Sequence, residues 1–237
     1  MLLESSYLGI DLGADSIKVA HLVKRGNKSI IKRLYQIKNP IGKTVFKNQQ
    51  EQDIIRQVLS RIKETSPSNG VIMGIPSNHA AFRHVHFPLL SKHELREAIF
   101  WEMQVFDTIF SNEYISDYEL LNKQNNICRV LLVAVPKDLI MTYTKILSEA
   151  GFYLKALDVY PLANARVLKA QKKSGVSAII DLNVTCSEIS VVENGRLILN
   201  RNLDFPRNIT VENFLLETSR IFNFYSLQSK RHKIEEI

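Results

Sequence analysis

Two stretches far apart in the chain share one design, Leu8-Gly9-Ile10-Asp11-Leu12-Gly13 and Ala178-Ile179-Ile180-Asp181-Leu182-Asn183. Each is a short apolar run ending in Asp, followed by a turn that carries Ser or Thr and by an alternating segment that closes at a glycine, Gly26 or Gly195. Alternation at period two predicts strands, so each copy reads as strand, acidic turn, strand, turn, strand. The copies lie too far apart for the period of a solenoid and fit a duplicated domain half.

The segments between the copies alternate strand and helix. A third strand is predicted over Ser29 to Ile37, and Ile54, Ile55, Val58, Leu59 and Ile62 mark one helical face within Gln50 to Glu64. Val71 to Ile75 is a continuous apolar run between Gly and Pro, the pattern of a buried central strand, and Ala81 to Phe87 supplies another. Ser91-Lys92-His93-Glu94 is a capping box, predicting a helix through Leu95, Ile99, Met103 and Phe106 that presents Phe100, Trp101 and Phe106 to a core or a partner. Strands follow at Ser116 to Leu121, Ile127 to Pro136 and Leu154 to Val159, with helices at Lys137 to Ala150 (ended by Gly151) and Leu162 to Gln171 (opened by Pro161). A last helix from Val211 to about Tyr225 carries Phe214, Leu215, Thr218, Ile221, Phe222 and Tyr225 on one face.

Composition removes several function classes. The 237 residues are 45% hydrophobic and 23% charged, an ordinary globular balance, and the longest apolar runs are far short of the roughly 18–20 residues needed to span a bilayer. Met1-Leu2-Leu3-Glu4 lacks a basic flank, so the expectation is neither a transmembrane nor a secreted chain. The net charge of +7 gathers most densely at Lys24, Arg25, Lys28, Lys32 and Arg33, around the Arg25-Gly26-Asn27 turn and without the interleaved aromatics of a base-stacking platform. Direct nucleic-acid binding is therefore not expected. Cys128 and Cys186 sit in apolar contexts and read as reduced, buried thiols, while His79, His84, His86 and His93 have no carboxylate or thiol at ligand spacing, so no metal site is expected there.

An Asp at the end of a buried strand, followed by Gly and hydroxyl residues in a hairpin, offers a phosphate nearby backbone N–H groups and a carboxylate that can hold hydrated Mg²⁺. A single Asp-Leu-Gly can be no more than a turn; the second copy at Asp181 strengthens the phosphate reading.

At this point the sequence resembles the actin-like proteins of the sugar kinase, Hsp70 and actin superfamily, and within it the PilM family of type IV pilus assembly proteins. The matching stretches are Gly9 to Gly13 with Ser16 to Val19, Met73-Gly74-Ile75-Pro76, Arg83 through Phe87-Pro88, Glu94 to Glu102, Asp117-Tyr118, Val133 to Asp138, Gly151 through Asp158, the Asp181 hairpin with Glu193-Asn194-Gly195, and Glu217 to Arg220 leading to Phe224-Tyr225. They cover nearly the whole chain in family order.

The resemblance implies an α/β, actin-like (ribonuclease H-like) duplicated fold with an inserted small subdomain: residues 1–79 as the first actin-like subdomain, 80–158 as the insertion, and 159–237 as a shortened second subdomain. It implies that Asp11, Gly13, Ser16 and Lys18 lie in the first phosphate loop and Asp181 in the second, with ATP and Mg as the cofactor. It further implies a cytoplasmic, non-enzymatic scaffold recruited to the inner face of the bacterial inner membrane by the short tail of a PilN-like protein, among other pilus platform proteins.

Departures from the family pattern weigh against the nucleotide. Asn183 stands where Gly would let backbone approach a phosphate, and Asp15 places a negative charge inside the first loop. After Arg201 the chain passes quickly to the helix around Glu217, where the resemblance leads to an expected lobe of several dozen residues, and it reaches Ile237 before the family's Gly-rich adenosine-contacting turn. Two other readings share the fold: a phosphotransferase or ATPase, which needs a positioned base and a closed cleft, and the cytoplasmic domain of the L-type protein of type II secretion.

Overall fold

The computed structural model describes residues 5–26, 28–171, 175–182, 187–203, 210–229 and 234. Its contacts gather the chain into two compact units, one of residues 1–79, 112–115 and 135–159, the other of 80–111, 116–134 and 160–237.

The first unit is a five-stranded sheet covered by helices. Strands β1 (Ser5–Leu12), β2 (Ser16–Arg25) and β3 (Lys28–Lys38) form an antiparallel meander; β4 (Gly70–Ile75) adds in parallel to β1, and a strand near the end of the unit, Leu154–Val159, adds in parallel to β4. The order is therefore β3, β2, β1, β4 and the Leu154–Val159 strand, with the meander on one side and the crossover strands on the other. Parallel neighbours need long crossovers, and helices supply them. Helix α1 (Gln49–Thr65) starts where the Asn48 side chain accepts the Glu51 N–H, and it turns Ile55, Leu59 and Ile62 inward. Each of those side chains stabilises the fold by about 1.5–3 kcal/mol through burial. The expected continuous apolar strand, Val71 to Ile75, is indeed interior to the sheet, with Val71, Met73 and Ile75 buried.

In the second unit, β5 (Ala81–Pro88) pairs antiparallel with β7 (Ile127–Pro136), whose other neighbour is β6 (Tyr114–Gln124). The turn from β6 to β7 places Asn125 and Asn126 at positive φ, a backbone region asparagine tolerates. Helix α2 (Lys92–Met103) opens with both halves of the capping box: Ser91 Oγ accepts from the Glu94 N–H, and Glu94 Oε2 accepts from the Ser91 N–H at 2.9 Å. It ends at Met103, short of the expected Phe106. The Gln104 N–H bonds to the Trp101 carbonyl, tightening the chain into a 3₁₀ turn over Gln104–Thr108 on which Phe106 is fully buried. Arg83 on β5 donates from Nε and Nη2 to Glu102 Oε1, at 2.9 and 2.6 Å, and so fastens α2 to the sheet.

Helix α3 (Lys137–Glu149) returns the chain to the first unit and packs on α1, with Leu139, Tyr143, Ile146 and Leu147 buried. Gly151, at φ +81°, ends it as the sequence predicts, and β8 (Leu154–Val159) follows. Helix α4 (Tyr160–Ala170) then leads to the second copy of the meander, β9 (Val176–Asp181), β10 (Ser187–Glu193) and β11 (Arg196–Leu203), antiparallel throughout. The turn between β10 and β11 sits against α4: a Cβ on Gly195 would lie 2.4 Å from the Lys169 Cβ and 2.8 Å from its Cα, so only glycine fits. Helix α5 (Val211–Ser229) runs past the expected end at Tyr225; it packs Tyr225 against Val176 and Val191 but leaves Leu215, expected on the buried face, exposed. Among the described residues no parallel strand extends this second meander.

Candidate phosphate loop

The β1–β2 hairpin brings four of the five sequence-marked residues together. Asp11 is the penultimate residue of β1, directly across from Lys18 on β2 and, in parallel pairing, beside Gly74 on β4. It therefore lies at the carboxyl end of parallel strands, where open α/β sheets place their ligands. Lys18 Nζ donates to Asp11 Oδ2 at 3.1 Å, with both side chains open to solvent. An exposed pair of this kind contributes little to stability. Its consequence is local charge balance, a carboxylate and an ammonium held side by side at the mouth of a hairpin.

Between them the chain turns tightly. A Cβ on Gly13 would lie 2.8 Å from the Ser16 carbonyl oxygen, a backbone atom that cannot yield, so the turn requires glycine there. Ser16 opens β2 opposite Lys38.

Asn39, which sequence reasoning passed over, braces this loop. It is buried (3% exposed), and its side-chain Nδ2 donates to both the Gly13 and the Lys43 carbonyls, each at 2.8 Å. Its Oδ1 accepts the Ile41 N–H at 2.9 Å, and its own N–H donates to the Asp15 carbonyl at 2.9 Å. One side chain thus ties the Gly13 turn to the segment 41–43. The visible signal was the Asn39-Pro40 pair after a strand, which marks a turn but not its partner. Behind it, Tyr143 on α3 donates to the Thr44 carbonyl at 2.6 Å, and Thr44 Oγ1 shares a 3.2 Å hydrogen bond with His79 Nε2. Burial, and secondarily the Asp11 carboxylate, push the Tyr143 phenol far above its ordinary range, so it stays a neutral donor. Burial lowers His79 below its ordinary 6.5, which leaves that ring neutral as well.

Asp181 stands in the other unit, at the end of β9 and across from buried Glu188 on β10. The turn that follows it, with Asn183 and Cys186, lies outside the described residues. His84 is hydrogen-bonded to the Leu197 carbonyl at 3.0 Å and His79 to Thr44, so the histidines that cluster in sequence serve separate contacts. Among the described residues no three metal-ligating side chains converge.

The first hairpin combines a turn that excludes a side chain at Gly13 with a carboxylate and an ammonium paired at its mouth. Asp15, exposed in the same turn, is the opposing charge. A family model described as "Type IV pilus assembly protein PilM" matches residues 9–236, from the strand before this loop to the end of the chain. The chain belongs to the PilM family. In keeping with that, its fold resembles the structure of a PilM-PilN type IV pilus biogenesis complex, with a TM-score of 0.70 at 19% identity over 92% of this chain and 66% of that one. The chain thus spans just under two thirds of that PilM structure. It also resembles a Bacteroides thetaiotaomicron protein with an actin-like ATPase fold (TM-score 0.53, 16% identity, 94% of this chain and 77% of that one). The cytoplasmic domain of EpsL, an inner-membrane component of the Vibrio cholerae type II secretion system, matches at 0.52 and 12% over 84% of this chain and 71% of its own. The likenesses establish the actin-like fold, and the family match separates the PilM reading from the L-type one.

Proposed function

We propose that this PilM-family chain is a non-catalytic scaffold of the type IV pilus inner-membrane assembly complex, cytoplasmic, and held at the inner face of the bacterial inner membrane by the short cytoplasmic tail of a PilN-like protein. The observation that carries the proposal is the match over 92% of the chain to a structure of PilM with PilN, joined to the family match over residues 9–236. No helix of the described residues is long and apolar enough to cross a membrane. Other pilus platform proteins complete the set of partners in this reading.

In this reading the tail docks on α2. Phe100 and Trp101 are 64% and 66% exposed, with ring centroids 5.9 Å apart in an edge-to-face arrangement. Large aromatics left in water on a helix held by a capping box and the Arg83–Glu102 pair are suited to anchor an apolar peptide. Binding through them changes little with salt, because no charge is neutralised.

Asp11, Gly13, Ser16 and Lys18 would hold the phosphates of ATP, with Asp11 the carboxylate of this hairpin for hydrated Mg²⁺ and Asp181 the corresponding carboxylate of the second meander. Magnesium would supply neutralisation of phosphate charge. Lys18 lies 3.1 Å from Asp11, so the hairpin carries a paired charge. Nucleotide in this reading is a ligand, not a substrate.

The test is titration of the chain with a labelled peptide of the PilN-like tail at low and high salt, alongside the F100S/W101S variant. The expected result is saturable binding, nearly unchanged by salt, that the variant weakens at least about tenfold with no change in unfolding midpoint. Full-strength binding by the variant removes the α2 surface from the account; absence of binding by the natural chain removes the scaffold.

A further inference from the structure

The first unit contains a polar pocket of about 500 Å³ at the opposite end of the sheet from the Gly13 turn. Its lining includes Ser6, His21, Lys32 and Arg33, with Thr65 and Pro67 from the end of α1 and the turn after it. Ser6 and Asp11 are five residues apart on β1, so at about 3.3 Å per residue the two sites are roughly 17 Å apart.

A break in the β2–β3 ladder builds this pocket. His21 pairs with Arg33, but the next residue, Leu22, pairs with Ile31, which leaves Lys32 as the extra residue of a β-bulge. In a regular strand Lys32 and Arg33 would point to opposite faces. The bulge re-aims one of them, and both line the same cavity. The face they share is the one that carries buried Ile17, Val19, His21 and Val23 on β2.

The other walls are arranged to receive negative charge. His21 is 5% exposed, and its Nε2 shares a 2.6 Å hydrogen bond with Ser6 Oγ. Arg33 is steadied over the Tyr35 ring, 4.7 Å from its centroid. No carboxylate lines the pocket, and among the described residues none forms an ion pair with Lys32 or Arg33. We propose that the bulge pocket of Ser6, His21, Lys32 and Arg33 is an anion site for a phosphate monoester or diester, separate from the phosphate loop. Guanidinium and ammonium together match such an oxyanion, while the Ser6 hydroxyl is held between His21 Nε2 and the Pro67 carbonyl as part of the wall. Burial, together with the Lys32 and Arg33 charges, lowers His21 below its ordinary 6.5, so the ring is a neutral reporter whose surroundings change when an anion enters.

The probe is inorganic phosphate, titrated into the full chain at constant pH and ionic strength while the His21 ring resonances are followed by NMR. The expected result is a saturable shift of His21, weakened roughly tenfold by K32Q and again by R33Q, as loss of a charge-assisted bond requires. Both substituted side chains are exposed, so an unchanged unfolding midpoint shows the variants are folded. No His21 shift, or a shift that survives in the K32Q/R33Q double variant, overturns the proposal and leaves the bulge as protection of a free edge strand. A second arm adds vesicles of phosphatidylglycerol in neutral lipid. If they take the chain and cancel the phosphate-induced shift, the natural anion is a lipid headgroup; if they leave the shift intact, it is a soluble phosphoester, and in either case the site stands.

Discussion

Asn39 makes three side-chain hydrogen bonds from a buried position and joins the turn at Gly13 to the backbone at Ile41 and Lys43. Replacing it with alanine strands two carbonyls and an N–H in the interior. The expected cost is about 2–4 kcal/mol in urea unfolding, with the first loop loosened before the rest of the sheet. Proton binding gives a second prediction at this scale. His79 and His84 are both held below 6.5, His79 by burial and His84 by burial against a partly opposing hydrogen bond to the Leu197 carbonyl. Their folded-state pKa values are depressed, so the unfolded chain takes up protons first as pH falls. The stability they contribute is complete above about 6.5 and is lost as pH drops through their folded values. Thermal unfolding midpoints should therefore decline below about pH 6.5, and H84Q should flatten that decline. The sequence shows Asp11, Gly13, Ser16 and Lys18 because they are contiguous. It hides Asn39 and Tyr143, whose partners are fixed only when α3 and the loop after β3 meet the hairpin.

Elements with a local cause were the most legible. The capping box at Ser91 opens α2 at the expected residue because both of its hydrogen bonds close within three positions. S91A should cost about 1 kcal/mol in chemical denaturation. Leu59, on the inward face of α1, is almost wholly buried, and L59A should cost about 2–5 kcal/mol. Elements whose form depends on distant packing were less legible. The end of α2 is one, since the 3₁₀ turn that buries Phe106 depends on neighbours that periodicity cannot count. The bulge at Lys32 is another: it is a difference of length between two paired strands, and becomes visible only with their register.

For the whole molecule, the repeated Ile-Asp-Leu strand was enough to read a duplicated α/β fold, and both meanders are present with their antiparallel pairing. The sheet order, with the strand at Leu154–Val159 returning beside Gly70–Ile75 after a long excursion, could not be read from periodicity, because parallel partners carry no local signature. The proposed function belongs to this scale, because it rests on the match of nearly the whole chain to a PilM-PilN structure. Calorimetric titration with the PilN-like tail peptide, performed with and without Mg-ATP, tests it most directly. The account predicts saturable peptide binding whose affinity is unchanged by Mg-ATP. Clear Mg-ATP binding with no peptide binding would contradict it and return the chain to the nucleotide-dependent enzymes of its fold.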